Sequence, residues 1–121
     1  SFGYYRRFNL STIGKIMLTL TPKEKTLLPK IGEYFYKECG EDLEATKALL
    51  YSLHIKQIIV VGGYGNSPER CLIVTGRPGL LIGRRATRIE ALKKFLGIEI
   101  EIREYEGPEL EQYMLAGILH D

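Results

Sequence analysis

The chain has 121 residues, 45% of them hydrophobic and 26% charged, with a net charge of +2. That length suits one domain with a real core and is too short to plan for two. The composition is that of an ordinary soluble globular protein. No apolar run approaches the roughly 20 residues of a membrane span and no signal-peptide pattern opens the chain, so a cytoplasmic protein with no membrane partner is expected.

Residues 1–40 read as a helical extension at the N-terminus. Phe2, Tyr4, Tyr5, Arg6, Arg7 and Phe8 interleave aromatic rings with arginine, a pattern that stacks on bases or docks on protein. Lys15 to Thr21 is either a short strand or an extended connection. Thr21-Pro22-Lys23-Glu24 is a capping box with proline at the first helical position, a strong helix start. Pro29 is expected to break or kink that helix, with a second piece running to about Cys39 before Gly40. Leu28, Ile31 and Phe35 are core candidates on it.

Asp42 caps the next helix, which places Leu43, Leu50 and Leu53 on one side with Leu49 beside them. Lys56 to Val61 is a β-branched run, Gly62 to Pro68 a loop, and Glu69 to Thr75 a second strand, antiparallel to the first if the loop is a hairpin. Ile98 to Arg103 alternates with a period of two, so the isoleucines face inward while Glu99 and Glu101 make the outer face acidic. From Gly107-Pro108 a last helix carries Leu110, Tyr113, Met114, Ile118 and Leu119. This C-terminal helix, residues 106–121, is expected to pack on the domain formed by residues 41–105.

The organising stretch is Thr75 to Leu96. Arg77-Pro78-Gly79 leads into the apolar Leu80-Leu81-Ile82, then Gly83-Arg84-Arg85-Ala86, then a helix that buries Ile89, Leu92 and Leu96 and closes at Gly97. Thr87 and Glu90 have capping-box spacing. Arg77, Arg84, Arg85, Arg88, Lys93 and Lys94 stand against Glu90 alone, whereas from Glu99 onward Arg103 is the one base among six glutamates and Asp121. Arginines at a helix start, where free amides and the macrodipole already favour an anion, suit phosphate; a solvated basic face is the plainer reading.

The segment from Arg77 to Ile89 resembles the type II KH domain found in the small-subunit ribosomal KH protein and in Era-type GTPases. There R-P-G, an apolar triplet and a basic G-x-x-G loop precede a helix. The resemblance covers about Glu41 to Tyr105. It implies an α+β, two-layer type II KH fold of order α-β-β-α-α-β, here with extra N-terminal and C-terminal helices. The same order follows independently from the caps, periods and turns between residues 42 and 105. Ala86 departs from the family's glycine. If the turn requires positive φ there, alanine costs roughly 1 kcal/mol; if residue 86 simply opens the helix, alanine fits.

The resemblance further implies single-stranded RNA, with single-stranded DNA as the alternative, lying in a shallow groove. Gly83, Arg84, Arg85 and Ala86 would meet the sugar-phosphate backbone, with Arg88 beside them. Ile82 and Ile89 would form an apolar floor or simply belong to the core. Arg77 would reach a phosphate or pair with a carboxylate. The far wall would be the last strand and the hairpin loop, where Tyr64 and Arg70 sit. The competing reading is a degenerate KH fold serving protein contact, with a partner or homodimer formed through the N-terminal extension.

Catalysis is not expected. Cys39 and Cys71, like His54 and His120, lie far apart, with no C-x-x-C and no metal-ligand cluster. Gly62 to Gly65 lacks the Lys-Ser/Thr of a P-loop. No cofactor is implied. The two cysteines read as reduced thiols, with a single disulfide as the minority alternative.

Overall fold

The computed structural model describes residues 20–105. The aromatic-arginine opening, the strand or connection before residue 20 and the final helix lie outside the described residues. The described part is an α+β fold. Its elements are α1 (Pro22–Glu38), α2 (Leu43–Leu53), β1 (Ile55–Val61), β2 (Arg70–Thr75), α3 (Pro78–Ile82), a 3₁₀ turn (Arg84–Ala86), α4 (Thr87–Leu96) and β3 (Glu99–Glu104).

The three strands form one sheet in the order β1-β2-β3. β1 is antiparallel to β2, as the hairpin requires, and β2 is parallel to β3. A parallel neighbour cannot be reached through a tight turn, so α3 and α4 supply the crossover. The register puts Ile58 opposite Ile73 and Ile73 opposite Ile102, and it aligns Val60, Cys71 and Ile100 in the same way. One face of the sheet is therefore continuously apolar. Ile55 and Ile58 are three residues apart, which in a regular strand would place them on opposite faces. A register shift between Ile55 and Gln57 reverses that parity, and both are 1% exposed. This is the effect of a β-bulge, and alternation alone does not show it.

The core lies between that face and the helices. Leu28, Ile31 and Phe35 of α1, Leu50 and Leu53 of α2, Leu81 of α3 and Ile89 and Leu92 of α4 share it with the strands. α1 thus packs into the same core as the segment that follows it. Its predicted capping box is present, with Glu24 N–H donating to Thr21 Oγ1 (3.3 Å) and Thr21 N–H to Glu24 Oε1 (3.1 Å). The other oxygen, Oε2, accepts from the Val60 amide at 2.9 Å, so one buried carboxylate caps the helix and ties it to β1.

Two local expectations are corrected. α1 runs unbroken through Pro29 to Glu38. Proline removes one backbone hydrogen bond, but Leu27 and Leu28 before it and Ile31 and Phe35 after it bury against a common core. In α2 the buried stripe is Thr46, Leu50 and Leu53, while Leu43 is 48% exposed. Thr46 buries its hydroxyl by donating it to the Asp42 carbonyl at 2.7 Å, so a polar residue holds a position that hydrophobic periodicity assigns to leucine.

Cys39 and Cys71 are free thiols. Burial, with a smaller contribution from the charge of Glu24, pushes the Cys71 thiol from 9.0 up to about 12. The native state therefore holds its proton where the unfolded chain releases it. This contribution to stability is intact below about pH 9 and is lost progressively toward pH 12. At pH 8, iodoacetamide is expected to modify Cys39 in the native protein and Cys71 only after urea unfolding, as read by mass spectrometry. Equal labelling of both without denaturant would contradict this packing of β2.

Candidate nucleic-acid interface

The turn between α3 and α4 contains three residues of unusual backbone within four positions. Gly83 has φ 81° and ψ 172°, a conformation open essentially to glycine. A Cβ there would lie 2.7 Å from Arg88 Cβ and 3.0 Å from its amide nitrogen. Arg85 (φ 55°) and Ala86 (φ 61°) are both left-handed. The 3₁₀ turn is held by the Ala86 amide donating to the Gly83 carbonyl (3.1 Å) and by Thr87 Oγ1 donating to the Arg84 carbonyl (2.7 Å).

These bonds revise the reading of the helix start. Thr87 is the first residue of α4, not its cap, and the Thr87–Glu90 capping box does not form. Ala86 occupies the cap position and makes no side-chain bond. Ala86 is also not a comfortable first helical residue: it takes the strained alternative, costing about 1–2 kcal/mol. Ala86→Gly is expected to raise stability by about 1 kcal/mol in urea titration, the strain relieved outweighing the lost methyl contact and the extra freedom of the unfolded chain. A lowered midpoint would show that the methyl, which packs on the core, matters more.

The positive charges near the turn divide into two groups. Arg77, Arg84 and Arg85 are exposed, and among the described residues no hydrogen bond or ion pair engages their side chains. Arg88 is committed elsewhere. Its Nε and one terminal nitrogen donate to the two carboxylate oxygens of Glu38, each at 3.0 Å, and the other terminal nitrogen donates to the Leu80 carbonyl at 2.6 Å. With the side chains of Arg88 and Glu38 only 21% and 26% exposed, this bidentate pair is a strut between α1, α3 and α4. Arg88, expected beside the phosphate contacts, acts in the structure as a positioning residue for the turn. Ile89 is buried and Ile82 half-buried against the core, so the core reading holds for both.

A cleft of about 550 Å³ adjoins the turn, lined by Gly79, Leu80, Gly83, Arg84, Thr87 and Arg88 and, across from them, by Tyr34 and Glu38. Its far wall is α1. Tyr34 Oη donates to Glu38 Oε1 at 3.2 Å, and its ring meets Phe35 and Phe95 edge-on at 5.1 and 5.7 Å. Burial, then the charge of Glu38 and the hydrogen bond to it, pushes the Tyr34 phenol up, against a smaller downward pull from Arg88. It stays a donor at neutral pH. Tyr34 and Glu38 are spaced i, i+4 and so share a helix face. That spacing was the available signal; Arg88, the partner of Glu38, lies 50 residues away and left none.

The hairpin side presents an exposed tyrosine and paired charges. Tyr64 is 80% exposed at the loop tip. Arg70 faces Glu101 at 3.7 Å, and Arg103 approaches the same carboxylate at 3.6 Å, while Lys93 lies 3.5 Å from Glu99. The outer sheet surface, expected to be acidic, is charge-mixed. Among the described residues no group of His, Cys, Asp and Glu is arranged to hold a metal, and no helix is long and apolar enough to cross a membrane.

No family model matches the chain, and no solved structure does. Among curated proteins it matches the small ribosomal subunit protein uS3 of two strains of Chloroflexus aurantiacus, J-10-fl and Y-400-fl. Each is 29% identical over 93 residues, covering 70% of this chain. The chain spans only 38% of the length of those relatives. The chain thus has a distant similarity to a ribosomal protein.

Proposed function

We propose that the protein is a type II KH-like module that binds single-stranded RNA by clamping its backbone at Gly83–Ala86. The observation that carries this reading is the placement of Arg84 and Arg85. Both side chains are exposed and, among the described residues, without a partner, on a tight turn whose following helix has no side-chain cap. Uncapped first-turn amides and the positive end of the helix favour phosphate, and Gly83 removes the side chain that would stand in the way. The order helix, strand, strand, helix, helix, strand and the mixed sheet accord with that fold, and the similarity to uS3 supports an RNA partner within the ribosome and a cytoplasmic setting.

The test is fluorescence anisotropy with a labelled RNA hexamer, and a DNA hexamer of the same sequence, from low to high salt. Two arginines that neutralise phosphates give a slope of log affinity against log salt of about −1.4 for a single strand, steeper if Arg77 joins them. No binding at low salt by folded protein would remove this reading. It would favour the second one, a KH-like fold used for protein contact, for which the strained Ala86 and the sequestered Arg88 speak. No catalytic role is proposed.

A further inference from the structure

We infer that the cleft between α1 and the basic turn is a base-binding subsite, which takes an unstacked nucleobase bearing an exocyclic amino group from the strand held at Arg84 and Arg85. The inference rests on the reading of the turn as a phosphate clamp and adds to it a specificity element from α1, the helix that precedes the KH-like segment.

Three features support it. The cleft shares Gly83 and Arg84 with the turn, so a nucleotide whose phosphate sits on the turn has its base within reach of the cleft. Its walls combine the Tyr34 ring with Leu80, which is 37% exposed; an aromatic face beside an aliphatic one is what a stacked base needs. The third feature is the carboxylate of Glu38. Its Oε1 accepts from Tyr34 Oη and Arg88 Nε, and its Oε2 from one Arg88 terminal nitrogen. A carboxylate has about four acceptor positions, so among the described residues three are filled and one on Oε2 remains. Arg88 also balances the charge, so Glu38 does not repel the strand. The remaining acceptor takes an N–H from the amino group of cytosine or adenine. Uracil presents a carbonyl at the corresponding position and would set acceptor against acceptor.

The experiment measures anisotropy of four labelled RNA hexamers of equal charge: all-cytidine, all-adenosine, all-uridine and a fully abasic ribose-phosphate chain. The expected result is that the cytidine and adenosine hexamers bind roughly tenfold more tightly than the abasic one, with uridine between or below. Tyr34→Leu should bring every hexamer to the abasic level while the salt slope stays the same. Tyr34→Phe, which keeps the ring, should retain most of the difference. Glu38→Gln, whose amide can donate, should narrow or invert the cytidine-to-uridine ratio. Thermal midpoints of all three variants separate loss of binding from loss of fold. Equal affinity for abasic and base-bearing RNA, with unchanged salt dependence and no effect of Tyr34→Leu, would overturn the subsite and leave the clamp standing. No binding of any hexamer would overturn both.

Discussion

Arg84→Asp/Arg85→Asp is expected to weaken binding of a short single-stranded RNA by about 100-fold or more at low salt and to leave the urea midpoint where it was. Each arginine that neutralises a phosphate contributes about −0.7 to the salt slope on a single strand, so the double variant loses about 1.4 from its magnitude. Reversal rather than removal of charge adds repulsion. Folding is spared because neither side chain has a partner among the described residues and both are exposed. Aspartate also tolerates the left-handed backbone at position 85 (φ 55°) better than most residues. Unchanged affinity in the double variant, with the unmodified protein still binding in a salt-sensitive way, would move the phosphate contacts away from the turn.

Phe35→Ala is expected to destabilise the protein by about 3–5 kcal/mol, the range for deleting a buried aromatic ring. Phe35 is 0% exposed, and Leu28 and Ile31 accompany it from the same helix into the common core. A loss of that size takes a large share of the roughly 5–15 kcal/mol that holds an ordinary domain together. The measurement is a urea titration followed by circular dichroism. One cooperative transition displaced to much lower urea would mean that α1 is integral to the domain that carries the basic turn. A shift below about 1 kcal/mol, or a separate early transition for α1, would make that helix an appendage. The distinction bears on function, because Glu38 reaches the turn only while α1 is docked.

What the sequence legibly encodes here is local. The Thr21–Glu24 box and the Asp42 cap form as read, because each is a bond between residues three apart. Gly97 closes α4 in the left-handed conformation, which glycine adopts without strain. The strands follow from β-branched runs and period-two alternation, and Gly62 to Pro68 joins β1 to β2 as a hairpin. The basic turn was visible for the same reason: its lead-in, its glycine and its arginines are contiguous. Thr87–Glu90 is the instructive exception. It has the spacing of a capping box, but Thr87 bonds the Arg84 carbonyl instead, because the chain enters α4 through a left-handed turn and not an extended cap.

Tertiary structure decided the rest. Whether Pro29 ends α1 depends on whether both halves have the same core to pack against. Whether Leu43 or Thr46 faces inward depends on where α2 lies. The bulge that turns both Ile55 and Ile58 inward exists only in register with β2. Most consequentially, the sequence by itself determined that six bases cluster between Arg77 and Lys94, but not which of them are free. Arg88 is withdrawn by Glu38, 50 residues earlier in the chain, and Arg84 and Arg85 have no partner among the described residues. An ion pair across that separation leaves no periodicity and no motif. It forms because packing α1 against α4 brings a partly exposed carboxylate and guanidinium to one place, where two parallel hydrogen bonds join them.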